Sequence, residues 1–120
     1  MEEFVKSIQV SDQLYITKEH FVIFRRGLRD TQILKKDVYY IQSVKDYLKI
    51  VTENETYMIL GSIGRAEELL IESILIRVHR SFIVNKQQIT NKDKKKQDVF
   101  LNKLKKHISV GRKYKENVWL

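Results

Sequence analysis

The 120-residue chain predicts a mainly β protein with one or two short helices. Three features point that way. Short segments rich in branched and aromatic residues recur at close intervals, a composition suited to the pleated, half-buried surface of a sheet. Several of them alternate apolar and polar residues with the period of two that a strand imposes. In the body of the chain only one stretch spaces its apolar residues as a helix does. The length is that of one ordinary domain, taken as residues 1–120, and 42% hydrophobic residues suffice to bury a core.

The expected strands cover residues 13–17, 20–25, 31–35, 38–44, 47–52, 55–60, 75–79 and 98–101. In the fifth of these Leu48 and Ile50 oppose Tyr47 and Lys49. In the seventh Ile76 and Val78 oppose Leu75, Arg77 and His79, so each strand has an apolar face and a face free for polar work. Lys18 with Glu19, Lys45 with Asp46 and Glu53 with Asn54 mark turns, and Asn54 suits the positive φ of a tight hairpin. Residues 62–72, SIGRAEELLIE, place Ile63, Ala66, Leu69 and Leu70 on one helical face with Ser62 as N-cap. Gly64 costs that helix about 1 kcal/mol against alanine and holds it to two or three turns. The run NKDKKKQD, residues 91–98, is too polar for a core and reads as a hairpin loop between the apolar segments 82–84 and 99–101. In residues 110–120, Tyr114 and Val118 have i,i+4 spacing, which predicts a terminal turn of helix that docks Trp119 on the sheet. There is no proline and there are four glycines, with no linker, repeat or domain boundary.

Several function classes fall away on composition. Without cysteine there is neither a disulfide framework nor a thiolate metal site, and a reducing cytoplasm is the simplest compartment. The N-terminus, MEEFVKSIQVSD, is acidic where a signal peptide is basic, and no apolar run approaches the roughly 18 residues of a membrane span. His20, His79 and His107 lie far apart in sequence, none in a metal-ligand spacing. Gly61 and Gly64 are too sparse for a phosphate-cradling loop and are followed by no Lys-Ser or Lys-Thr pair. The chain is therefore expected to be no enzyme and to carry no cofactor or metal.

Charge points to a partner. Residues 92–115 hold ten Lys or Arg against Asp93 and Asp98, a net of +8, which equals the formal charge of the whole protein. Such asymmetry favours a polyanion, although a solvated face or a lysine-protected sheet edge has the same composition. Residues 75–85, LIRVHRSFIVN, set His79, Arg80 and Ser81 between two apolar runs that can anchor them. Arg80 and Arg112 both lie in short polar stretches beside apolar segments, where a loop projects them. Arginine is the commonest reader of guanine, through a bidentate fork to O6 and N7. The competing reading for each is a surface salt bridge. His79 either contacts the ligand or fixes the local turn by a hydrogen bond.

The blocks FVIFRR, DVYYIQSVKDYLKIVTENETYMI, IRVHRSFIVNKQQI and ISVGRKYKENV, with a short helix between the second and third, resemble the LytTR DNA-binding domain of bacterial transcription regulators. The resemblance spans roughly residues 13–118 in the right order and spacing. It implies an elongated stack of small, mostly antiparallel sheets that contacts double-stranded DNA through loops instead of a recognition helix. It also implies paired direct repeats in promoters, entered through successive major grooves from one side of a bent duplex. Carried onto this chain, it assigns contacts to Lys45, Asp46, Tyr47 and Lys49, to His79, Arg80 and Ser81 with Arg80 as reader, and to Arg112 as base reader with Lys113 toward phosphate. Lys94 to Lys96 are placed away from these loops. Gln42, Ser109 and Gly111 stand where many members have Glu, Pro and Ser, and Gly111 is expected to loosen the Arg112 loop. The family context implies a receiver domain in cis, an upstream sensor kinase and a chain that pairs as a homodimer on DNA, with no membrane role. The chain is then either a standalone regulator or an output domain, and Met1 does not decide between them. A basic module that docks on acidic proteins or membrane surfaces, without reading DNA sequence, is the alternative.

Overall fold

The computed structural model describes residues 8–11, 13–24, 30–70 and 73–119. Arg25, residues 71–72 of the expected helix, Leu120 and most of the acidic N-terminus lie outside them. The strands are β1 (Ile8–Gln9), β2 (Leu14–Ile16), β3 (His20–Ile23), β4 (Thr31–Leu34), β5 (Val38–Val44), β6 (Tyr47–Thr52), β7 (Thr56–Leu60), β8 (Leu75–His79), β9 (Phe82–Asn85), β10 (Asn91–Asp93), β11 (Asp98–Leu101) and β12 (Lys106–Ser109). Helix α1 (Ile63–Leu69) separates β7 from β8, and α2 (Lys115–Trp119) closes the chain. These strands form three antiparallel sheets, ordered β1-β2-β3-β4, β7-β6-β5-β9-β8 and β10-β11-β12. The molecule is elongated, 47 × 26 × 26 Å.

The five-stranded sheet lies between two cores, which explains its sequence. On one side Ile41, Leu48, Ile50 and Ile83 cluster with Leu14, Phe21 and Ile33 of the first sheet and with Ile63, Ala66 and Leu70 at α1. On the other, Tyr40, Val51, Val78 and Val84 cluster with Val99, Leu101 and Ile108 of the third sheet and with Val118 of α2. Val38 to Ile41 are consequently buried in an unbroken run, as strands covered on both faces are. Each large side chain so buried contributes roughly 1.5–3 kcal/mol. Asn85, fully buried at the end of β9, is matched: its Nδ2 donates to the carbonyls of Lys36 (3.2 Å) and Val38 (2.9 Å), and its Oδ1 accepts from Gln87 N (2.9 Å). One side chain thereby ties β9 to the start of β5.

All eight expected strands form, and Ser62 caps α1 by accepting from Arg65 N. The second face of β8 does not stay open as the alternation predicts. Leu75 is 3% exposed in the first core, because this edge strand is covered on both faces, Leu75 by one core and Val78 by the other. Nor does Asn54 take a positive φ. Its turn is closed by Thr52, whose Oγ1 donates to Glu55 O and accepts from Glu55 N, whereas positive φ falls on Lys45, Gln97 and Lys105. The expected loop 91–98 narrows to a four-residue turn, since Asn91 to Asp93 pair with Asp98 to Phe100.

Candidate nucleic-acid interface

Three loops meet at one end of the central sheet. The first joins β5 to β6, where Lys45 adopts φ 56° and Lys45, Asp46 and Tyr47 are exposed, Tyr47 by 46%. Lys49, two residues along the same face of β6, is half-buried opposite Met58. The backbone of this turn is held by Gly61 N, which donates to Asp46 O at 3.0 Å.

The second loop is the turn from β8 to β9. His79 Nδ1 accepts from Ser81 N at 3.1 Å, so the imidazole closes the turn, and its ring leans on Phe82 with centroids 5.8 Å apart. Accepting that bond puts the ring proton of neutral His79 on Nε2. Ser81 O accepts from Ser43 N at 2.8 Å, which locks this turn to the end of β5. Beneath it lies Arg77, its side chain only 9% exposed. Nε donates to His79 O (2.7 Å), Nη2 donates to Arg80 O, and Nη1 meets Glu67 Oε1 of α1 at 2.7 Å. One planar guanidinium thus fixes two consecutive carbonyls and an acid, a task suited to its rigid fork of donors.

The third loop leaves β12. Gly111 N donates to Val78 O at 2.7 Å, and a Cβ at Gly111 would stand 3.2 Å from Tyr114 Cδ2 and 3.6 Å from His79 Cα. An added Cβ would press on Tyr114 of its own segment and make only ordinary contact with His79, so it is the hydrogen bond to Val78 O that joins the two loops and secures the segment that the flexibility of glycine was expected to loosen. Arg112 and Lys113 stand exposed on the 3-10 turn Arg112–Tyr114. The Tyr114 ring lies 5.2 Å from the Arg77 guanidinium, and Asn117 Nδ2 of α2 donates to Arg77 O at 2.7 Å.

The sequence-predicted residues therefore come together as one surface, with Lys49 at its margin. Among the described residues no carboxylate bridges Lys45, Arg80, Arg112 or Lys113, and neither arginine side chain donates a hydrogen bond. The salt-bridge reading of Arg80 and Arg112 finds no partner there. Of the residues that hold the second and third loops, Arg77 and Tyr114 were read only as a strand-face residue and a helix marker, and Glu67 was given no role. The available signal was an arginine alternating with Ile76 and Val78 in a strand otherwise built for burial. The lysine run is also closer than expected: Val110 N donates to Gln97 O at 2.8 Å, so the turn carrying Lys94 to Lys96 abuts the Arg112 loop. No cluster of three or more His, Cys, Asp or Glu side chains able to hold a metal occurs among the described residues.

Residues 29–119 match the family described as LytTr DNA-binding domain. Among solved structures the chain is similar to the LytTr DNA-binding domain of a Bacillus cereus protein described as a methyl-accepting/DNA response regulator. That likeness has a TM-score of 0.67 and 22% identity, and it covers 83% of this chain and 93% of the other. At that identity it speaks for the fold. A comparison with curated proteins finds no match.

Proposed function

Because the chain belongs to the LytTR family of DNA-binding domains, we propose that it reads specific double-stranded DNA sequences and regulates transcription, as one domain over residues 1–120. Arg80 and Arg112 read base edges, helped by Tyr47, Asp46 and Ser81, while Lys45, Lys49 and Lys113 hold phosphates and His79 braces its turn. The observation that carries this reading is the free state of both arginines on backbones that are pinned. Base readout needs unpaired donors on a rigid backbone, since a loop ordered only on binding loses affinity to that ordering.

The chain enters successive major grooves, about 34 Å apart along the duplex, from one side. Two chains then pair on adjacent direct repeats and bend the promoter between them. A receiver domain in cis and a sensor kinase upstream would make this a response-regulator output domain that acts by binding alone, in the cytoplasm. No described helix is long and apolar enough to cross a membrane.

The alternative, a basic tail docking on acidic surfaces, needs residues 94–106 to act as one patch. Instead Lys94 to Lys96 lie at one end of β11, while Lys103 and Lys105 lie at the other, by the turn into β12. Salt titration tests the DNA reading. With about six phosphates neutralised, log K should fall against log salt with a slope near −5. A slope near zero on duplex DNA would contradict it.

A further inference from the structure

We propose that the lysine turn between β10 and β11 is a fourth DNA contact, gripping phosphates beyond the segment read by Arg112 without regard to base sequence. The proposal rests on the DNA-binding reading above and adds a surface that the family resemblance places elsewhere.

Position comes first. The β11–β12 ladder pairs Asp98 with Ser109 and is extended by the bond from Val110 N to Gln97 O. The next residue, Gly111, bonds to Val78 O, and Arg112 follows. Two consecutive hydrogen bonds therefore join the lysine turn to the Arg112 loop and that loop to the β8 end.

The turn is also built to present its charges. Gln97 takes φ 57°, Lys96 N donates to Asp93 Oδ1 at 3.0 Å, and Gln97 Nε2 donates to Lys94 O at 3.4 Å. Lys94, Lys95 and Lys96 are exposed on this closed turn, and among the described residues no carboxylate bridges them. The two nearby acids are engaged: Asp93 caps the turn, and Asp98 Oδ2 lies 3.5 Å from His107 Nδ1. With Arg112 and Lys113, five exposed cations crowd two adjoining loops. Their mutual repulsion is relieved by a polyanion.

Evenly spaced phosphates fit this surface better than a protein does. Protein interfaces centre on aromatic and arginine anchors in dry pockets, and the turn offers only lysines, which act as point charges on flexible stems. Lysine contacts to phosphate position a protein on DNA and supply salt-dependent affinity without base discrimination.

The test compares the whole chain with a Lys94→Gln/Lys95→Gln/Lys96→Gln variant. Binding is measured on a long-flanked duplex carrying a selected site and on duplexes trimmed at one or the other border of that site. Thermal unfolding first establishes that the variant folds as the parent does. The expected result is a loss of roughly tenfold or more on the long duplex, with a salt slope shallower by about 2 to 3. Trimming one border should weaken the parent to the level of the variant and leave the variant unchanged. An unaltered slope, or an equal loss on every duplex, would overturn the proposal. So would an unaltered DNA slope with lost binding to polyglutamate, which would assign the turn to acidic proteins. A parent with no salt-dependent DNA binding would instead remove the functional reading beneath it.

Discussion

Replacing Arg112 by alanine should weaken binding to the cognate site by about 1 to 3 kcal/mol, roughly 5- to 150-fold, and relax discrimination at the base pair it reads. The same is expected of Arg80→Ala at a different base pair. Both side chains are exposed and unpaired among the described residues, so their removal should leave the unfolding temperature within error of the parent. The loss then falls on the complex. Competition of each variant against scrambled DNA separates the two ways an arginine acts: equal losses on cognate and scrambled duplexes would make that arginine a phosphate contact.

Arg77→Met should do damage of the opposite kind, destabilising the protein as well as weakening the complex. It keeps much of the buried volume but removes the Glu67 pair, the bonds to His79 O and Arg80 O, and the cation over Tyr114. Charged hydrogen bonds of this type contribute about 1.5 to 3 kcal/mol each, and Glu67 is 42% exposed, so solvent recovers part of its share. The bond to Arg80 O is solvent-exposed as well, so the three contributions do not add in full, and a net loss of about 2 to 4 kcal/mol is expected, read by chemical denaturation. A double-mutant cycle with Arg80→Ala tests the positioning role. If Arg77 holds the reading turn, Arg80→Ala should matter much less in the Arg77→Met background. Additive losses would show that Arg77 supports the fold and not the reader.

How much of this was readable from the chain depends on distance along it. Local features were plain: Leu48 and Ile50 face inward and Ser62 caps its helix, while the bond that His79 makes within its turn was one of two readings left open for that residue. Strand β9 left no alternation to detect, because Ile83 and Val84 are buried on opposite faces. Strand β10, Asn91–Asp93, is too polar to announce itself and pairs because β11 offers it an edge. The role of Arg77 depends on a bulge and on α1 and α2 arriving from both sides of an edge strand, which no spacing in β8 encodes. Likewise the lysine turn reads as remote from Arg112 until the register of β11 and β12 is known.

Selection of bound sequences from a random pool of duplex DNA puts the reading by three loops to the test. The parent chain should return two similarly oriented copies of one short sequence, and the Arg80→Ala and Arg112→Ala chains should each lose information at different positions within each copy. A pool that emerges unenriched from the parent, with binding still dependent on salt, would contradict sequence reading and leave a basic surface that holds DNA by its phosphates alone.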